Sequence, residues 1–152
     1  MNWSARPGFL IVWLVLLLLA PSVQADELLM VRAARPFGDA ISELQIAIQD
    51  HGYQVAHVQR VDVGMASGGY KTAEYRLVFF GKPDEMHELE DRYPELLPYL
   101  PLKIVIFAEG DSTLALAYNP AILQAFFKID PLQNQFRRWE TDIRSILDQF
   151  AH

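Results

Sequence analysis

Two short apolar runs dominate the pattern of hydrophobic and polar positions along the chain, residues 75–80 and residues 102–107. Both are rich in β-branched and aromatic residues, and Gly or Pro lies at their ends, which predicts two central strands of one sheet. Each run is apolar at odd and even positions alike, whereas an antiparallel sheet with one wet face should alternate. We therefore expect both faces of the sheet to be covered, the second by the C-terminal helix, a partner subunit or an apolar ligand.

A first strand and an amphipathic helix are predicted before these runs. Residues 28–34 are mostly apolar and are followed by Pro36, and from residue 37 to residue 50 apolar side chains recur every three or four positions. This spacing places them on one face of a helix. Gly52 then provides the left-handed residue that commonly ends a helix.

Two β-hairpins are predicted after this helix, where the spacing of apolar residues changes from the helical period to that of a strand. Residues 53–63 alternate, which predicts a strand, and a connection of small residues turns the chain into the run at 75–80. A tighter turn joins the run at 102–107 to a further strand at 113–118. Together these stretches predict an antiparallel sheet built from two hairpins and the N-terminal strand.

Each of the remaining helices is predicted to have a proline in its first turn: Pro83, Pro120 and Pro131. Asn119 and Asp130 precede two of these prolines as expected capping residues. The last helix carries a narrow apolar seam from residue 132 to residue 150, and we expect it to fold back on the second sheet face rather than form an intermolecular coiled coil. The predicted order is β-α-β-β-α-β-β-α-α, an α+β domain with helices packed on an antiparallel sheet.

The first 25 residues differ in composition from the rest of the chain. Arg6 gives a positive start, residues 9–20 are an unbroken apolar run, and Ala25 ends a stretch with small residues where a signal peptidase cleaves. The apolar run is shorter than the roughly 20 residues that a membrane-spanning helix needs. We predict a secretory signal peptide over residues 1–25 and one mature domain over residues 26–152, periplasmic or secreted and without a membrane attachment once the signal is removed.

Composition narrows the classes of function. The chain contains no Cys, which excludes thiolate zinc sites, a Cys nucleophile and thiol redox chemistry. Its formal net charge is −6 and becomes more negative when Arg6 is removed. Nucleic acid is therefore not an expected partner, because its binding needs a basic surface. We predict no cofactor.

Structural motifs are spread between residues 46 and 123: Gly52-Tyr53, Val61-Asp62-Val63, Gly81-Lys82-Pro83, Leu100-Pro101, Ile104-Val105-Ile106 and Asn119-Pro120. With these motifs the chain resembles the domain-of-unknown-function 302 family. The resemblance implies a compact α+β domain able to form dimers, with no established activity to carry over. Many relatives have a Cys near the prolines of two motifs, and here those places hold Gly81, Lys82 and Leu102.

Two other patterns have a structural explanation. Residues 64–72 combine glycines with Lys-Thr, but Tyr70 interrupts the spacing of a phosphate-binding loop and a strand follows instead of a helix, so we interpret them as a hairpin connection. His87 and Asp91 lie four residues apart on a predicted helix, yet two ligands on an acidic face do not make a closed metal site. We interpret them as a solvated helix face and predict no metal site.

His57 is the most informative polar residue of the predicted strands. It shares its parity with Val55 and Val61, and a histidine facing an apolar layer could titrate near neutral pH or bind a ligand. Alternatively, it is a core histidine hydrogen-bonded to a neighbour. We nominate His57, Tyr75 and Arg76 as ligand-binding residues. No catalytic residue is predicted, because spacing alone identifies neither a Ser-His-Asp triad nor paired carboxylates.

These observations predict an exported, non-enzymatic domain that binds a small apolar or amphipathic ligand, or a protein partner, through the sheet face and its rim. The alternative is an enzyme acting on a small periplasmic substrate, with His57, Tyr75 and Arg76 as its candidate grouping. A purely structural homodimer is a third possibility.

Overall fold

The computed structural model describes residues 27–152, and the predicted signal peptide lies outside the described residues. The elements in chain order are β1 (Leu28–Ala33), α1 (Phe37–Asp50), β2 (Gln54–Arg60), α2 (Val61–Ser67), β3 (Tyr75–Gly81), α3 (Pro83–Arg92), a 3₁₀ segment (Pro94–Tyr99), β4 (Leu102–Glu109), β5 (Ser112–Tyr118), a second 3₁₀ segment (Pro120–Ala125) and α4 (Asp130–Ala151). The predicted α+β class is confirmed.

The sheet has five strands in the order β1-β5-β4-β3-β2, and every neighbouring pair is antiparallel. The two runs predicted to be central are the adjacent interior strands β3 and β4, and β4 is the middle strand. Both predicted hairpins are confirmed as paired strands, β2 with β3 and β4 with β5. The N-terminal strand β1 adds to the far edge beside β5.

One local prediction is wrong, and a second needs a smaller correction. The strand predicted over residues 53–63 ends at Arg60, and α2 occupies part of what we interpreted as a strand end and a loop. Two alternating apolar residues, Val61 and Val63, are too few to identify a strand. Asp62 also favours a helix here, because an acidic residue in the first turn stabilises it. The short helix predicted after Asn119 is a 3₁₀ segment.

The predicted helix ends have mixed outcomes. Gly52 has a left-handed φ of 77° after α1, as expected of a residue that ends a helix. The side chain of Asn119 accepts a hydrogen bond from the Ala121 N–H at 2.9 Å, which confirms its capping role. Helix α4 begins at Asp130 itself, without a side-chain capping hydrogen bond, so the prediction that Asp130 caps it is wrong.

One face of the sheet, here called the inner face, carries the core. Its side chains are at most 3% exposed: Leu29, Ala33, Val78, Phe80, Leu102, Ile104, Ile106, Thr113, Ala115 and Ala117. Helices α1 and α4 contact one another and pack on this face. The predicted α4 seam is buried within the chain from Leu132 to Phe150, as expected for a helix that folds back.

The opposite face, here called the outer face, carries these apolar side chains: Leu28, Met30, Tyr75, Leu77, Phe79, Val105, Phe107, Leu114 and Leu116. None of them is buried, and none packs against the core. Leu28 is 58% and Met30 is 62% exposed. Helix α4 packs with α1 on the inner face instead, so the expectation that the α4 seam covers the second, outer face is wrong. Apolar residues at alternate positions of a strand show that one face of the sheet can be buried. They do not show which helix, if any, covers that face.

Candidate functional site

His57 lies on the outer face, exposed to solvent, and its ring stacks on Phe79 at 6.3 Å between centroids and 26° between planes. A β-bulge between Val55 and His57 shifts the register against β3. Because Ala56 is an extra residue in β2, the side chains of Val55 and His57 point to opposite faces of the sheet. The inference that His57 shares a face with Val55 is therefore wrong, and His57 does not contact the core.

Tyr75 also lies on the outer face, where its ring meets Phe107 edge-on at 6.3 Å. His57 is paired with Phe79, four residues further along β3, so it is about 13 Å from Tyr75 at roughly 3.3 Å per strand residue. Arg76 points to the inner side, where its guanidinium lies 5.3 Å above the Phe37 ring. The structure does not bring these three nominated residues into one site.

Arg76 holds helix α2 against the sheet. Its guanidinium donates hydrogen bonds to the Asp62 carboxylate and, at 3.1 Å, to the carbonyl oxygen of Tyr75. The hydrogen bond from Arg76 lowers the pKa of Asp62 below its ordinary value. Since its partners are supplied by the chain, Arg76 has a structural role here.

An apolar cleft of about 280 Å³ lies beside the end of the β2–β3 pair and helix α3. We call it the proline cleft, and it is lined by Gln54, Val55, Ala56, Gly81, Pro83, Met86, Glu90 and Pro101. Two segments that carry the family resemblance meet here, since Gly81 and Pro83 belong to one motif and Pro101 to another. The Leu100–Pro101 peptide bond is cis. The β2 bulge at Ala56 completes the wall.

Gly81 allows α3 to approach the sheet at the base of this cleft. A Cβ atom at that position would lie 2.9 Å from Cγ and 3.2 Å from Sδ of Met86, closer than ordinary van der Waals contact. The flexible thioether of Met86 thus lies directly on the backbone of β3, where a larger residue would displace it. A substitution at Gly81 would therefore move a side chain that lines the cleft.

The walls of the proline cleft are largely apolar, with polar groups from Gln54 and Glu90. Both of these residues are exposed, so they lie where the cleft opens to solvent. An apolar recess with a few polar groups is the usual form of a small-molecule site. This arrangement can bind an apolar body and orient a polar head, and it contains no nucleophile next to a base.

Other recesses have less suitable walls. One of about 410 Å³ lies against α2, which has no buried side chain to fix its position. Another, of about 330 Å³ between α3 and α4, is lined by Asp84, Glu85, Glu88 and Arg92 among others. Both recesses are larger than the proline cleft. The first, however, is walled by a helix without buried side chains, and the second is lined by many charged residues.

Within residues 27–152 no group of three or more His, Asp or Glu side chains is placed to hold a metal ion. His87 and Asp91 lie 3.6 Å apart on an exposed part of α3, with side chains 81% and 70% exposed. None of the helices formed by those same residues is long and apolar enough to cross a membrane.

Sequence analysis missed a polar cluster that we call the polar clamp, formed by Tyr53, Glu85, Arg138, Trp139 and Asp142. The Tyr53 hydroxyl donates to Asp142 Oδ2 at 2.5 Å, and the Trp139 Nε1–H donates to Glu85 Oε1 at 3.0 Å. Arg138 contacts both carboxylates. The hydrogen-bonded pairs Tyr53–Asp142 and Arg138–Glu85 are 89 and 53 positions apart in the chain, and no spacing pattern links such positions. The local signals are the adjacent Arg138 and Trp139 and the spacing of four between Arg138 and Asp142 on one helix.

Burial changes the chemistry of Tyr53. Burial first, and then the hydrogen bond to the Asp142 carboxylate, hold the pKa of its hydroxyl far above the ordinary value of 10.0. The Lys82 ammonium also lies 4.6 Å above its ring. Tyr53 is therefore a neutral hydrogen-bond donor at physiological pH. Because each member of the polar clamp has a partner within the chain, the clamp is structural.

These features define an α+β domain with helices on one face of an antiparallel sheet and a small apolar cleft at its end. The chain belongs to the family described as domain of unknown function DUF302, whose model matches residues 30–150. The resemblance inferred from the motifs is thus confirmed. No curated protein matches the chain in sequence at a significant level.

The fold is similar to that in the crystal structure of an uncharacterized conserved DUF302 protein from Bacillus stearothermophilus. The two chains are 17% identical and superpose with a TM-score of 0.74, over 84% of this chain and 100% of that one. At this identity the likeness shows a common fold.

Proposed function

We propose that this protein is an exported, non-enzymatic binding domain that holds a small amphipathic ligand in the proline cleft. The observation that carries the proposal is the convergence of two motifs, at Gly81-Lys82-Pro83 and Leu100-Pro101, with the β2 bulge around one apolar recess. These segments are distant in sequence, and the recess where they meet has polar groups only where it opens.

The size and walls of the cleft indicate the class of ligand. Its volume of about 280 Å³ lies just below the roughly 300–1,000 Å³ typical of ligand pockets, which favours a small molecule. Val55, Pro83 and Met86 provide apolar contacts, and the Glu90 carboxylate provides a charged acceptor at the opening. We infer that the ligand joins a short apolar body to a cationic, hydrogen-bond-donating head.

Export is part of this proposal and is supported by the composition of residues 1–25. Mild purification from the producing cell followed by native mass spectrometry tests both parts. We expect a chain that begins at Asp26 and carries a non-covalent small-molecule adduct. Full-length chain in the membrane fraction would contradict export.

Two short probes of equal length test the ligand class directly. We expect hexylammonium to bind roughly tenfold more tightly than hexanoate, because one charge-assisted hydrogen bond to Glu90 contributes about 1.4 kcal/mol. Glu90→Gln should abolish this preference. Titration calorimetry gives both affinities, and saturable binding of neither probe, with no adduct in the purified protein, would refute the proposal.

A pair of tryptophan variants tests the location of the site. Ala56 lines the cleft from an exposed bulge position, so Ala56→Trp should fill the recess and remove probe binding without disturbing the core. Ala125→Trp is the matched control, since Ala125 is exposed in the second 3₁₀ segment and does not line the cleft. Unchanged binding by Ala56→Trp would show that the ligand lies elsewhere.

A further inference from the structure

The outer face is an apolar surface without a partner among residues 27–152. Strands about 4.8 Å apart, with roughly 3.3 Å per residue, give a five-stranded sheet with six residue steps from Lys103 to Glu109 a projected area of roughly 500 Å². The largest apolar patch on a typical monomer is about 300–600 Å², and a patch of that size often marks an interaction site. Side chains stand out from the sheet, so the surface that a partner can cover is larger than this projected area, and a standard interface buries roughly 800 Å² on each partner.

The strand register gives this face an internal symmetry. One row of paired residues crosses the sheet through Val31, Ala115, Ile106 and Arg76, all pointing to the inner side. On β4, Val105 and Phe107 lie one step to either side of this row, and Lys103 and Glu109 lie three steps to either side. The row is therefore a midline, with a positive charge at one end of the central strand and a negative charge at the other.

We propose that two copies of this chain stack outer face on outer face about a two-fold axis parallel to this midline. The rotation places Lys103 of each copy opposite Glu109 of the other, so two ion pairs form. It also places Val105 opposite Phe107, a small side chain against a large one. Aligned sheets pack in this way about 10 Å apart.

The charges select this axis over the other simple choice. A two-fold axis parallel to β4 would place Lys103 opposite Lys103 and Glu109 opposite Glu109, and like charges that face one another are destabilising. Glu109 already binds Arg32 of its own chain at 2.7 Å, and in the dimer it lies between two cations. The proline cleft lies beyond the Lys103 end of the face, so this interface is independent of the proposed ligand site.

Sedimentation velocity of the purified protein over a range of concentrations tests the interface. We expect a dimer that Leu116→Asp converts into a folded monomer, judged by an unchanged circular dichroism spectrum. Ile46→Asp is the matched control, because Ile46 is 48% exposed on α1 and away from the outer face. That variant should remain dimeric.

A charge exchange tests the axis. Lys103→Glu should weaken the dimer by about tenfold in dissociation constant, since both ion pairs become repulsive. Combining it with Glu109→Lys should restore the affinity, which no other alignment of the faces explains. Absence of rescue overturns the axis. A wild-type monomer at every concentration, or one that takes up an apolar dye on this face, overturns the dimer and assigns the face to another occupant.

Discussion

Single residues of this domain differ in chemistry according to where the fold buries them. Tyr118 ends β5 and is partly buried, and its hydroxyl donates to the carbonyl oxygen of Tyr99 at 3.3 Å. Burial raises the pKa of Tyr118 to about 12, against an ordinary value of 10.0, with a smaller contribution from Tyr99. Like Tyr53, it remains a neutral donor under physiological conditions.

The raised pKa predicts a loss of stability in alkali. Between pH 10.0 and about 12 the unfolded chain releases the Tyr118 proton while the folded chain retains it, so the contribution is complete below pH 10.0 and is lost as the pH rises. Tyr118→Phe should remove up to about 3 kcal/mol of this alkaline loss. Urea unfolding across that range, followed beside tyrosinate absorbance, measures it. Tyr70→Phe, at an exposed position, is the control, and identical alkaline losses in wild type and Tyr118→Phe would contradict the assignment.

At the scale of elements, the sequence was sufficient where a period persisted. The α4 seam keeps its period over several turns and was predictable for that reason, whereas β4 was predictable from a short apolar run with Pro101 and Gly110 near its ends. The bulge at Ala56 was not, because one inserted residue reverses every later parity on β2 and leaves no local mark. The nomination of His57 depended on that parity.

The candidate site was predictable only in part. The motifs at Gly81-Lys82-Pro83 and Leu100-Pro101 were visible as a resemblance, and both contribute to the proline cleft. Their meeting in space depends on the β3–β4 register, which brings Phe80 beside Leu102. Pairings over such separations are set by the packed sheet rather than by local pattern. The joint nomination of Tyr75 and Arg76 failed for a different reason, since adjacent strand residues point to opposite faces.

Helix α2 is held by few buried contacts. It has no buried side chain, and the Asp62–Arg76 ion pair connects its first turn to β3. We expect Asp62→Asn to raise amide hydrogen exchange several-fold over residues 61–67 while β3 and β4 keep their protection. The lowered pKa of Asp62 means that its stabilising contribution is present above the unfolded-state value of 3.8 and is lost as the pH falls through the folded value.

Two comparisons make this measurement specific. The wild-type helix should lose protection in acid, whereas Asp62→Asn should respond much less to pH. Glu74→Gln provides a matched control, since Glu74 lies 3.9 Å from Arg76 but its side chain is 59% exposed. Equal exchange over residues 61–67 in Asp62→Asn and wild type would show that other contacts hold α2.

At the scale of the whole molecule, the two sides of the sheet are organised differently. The inner side carries α1 and α4, and the polar clamp ties α4 both to α3 and to the start of β2. The outer side is free to meet another surface. The inner-side contacts act within one chain, so the stability that they provide does not depend on protein concentration. Contacts between two outer faces would stabilise the fold more at higher protein concentration.

Trp139 distinguishes these two kinds of contact. It is fully buried, its ring centroid lies 5.9 Å from that of Phe136, and its indole N–H donates to Glu85. Trp139→Ala should cost about 3–5 kcal/mol, as for other buried aromatic residues. Trp139→Phe should cost about 1–3 kcal/mol, because the Glu85 carboxylate loses the indole N–H and keeps only Arg138. Urea unfolding should show the same loss at every protein concentration, whereas the loss in Leu116→Asp should shrink as the wild-type dimer is diluted. If the Trp139→Ala loss also shrinks on dilution, Trp139 stabilises an oligomer and its role in closing the chain on itself is refuted.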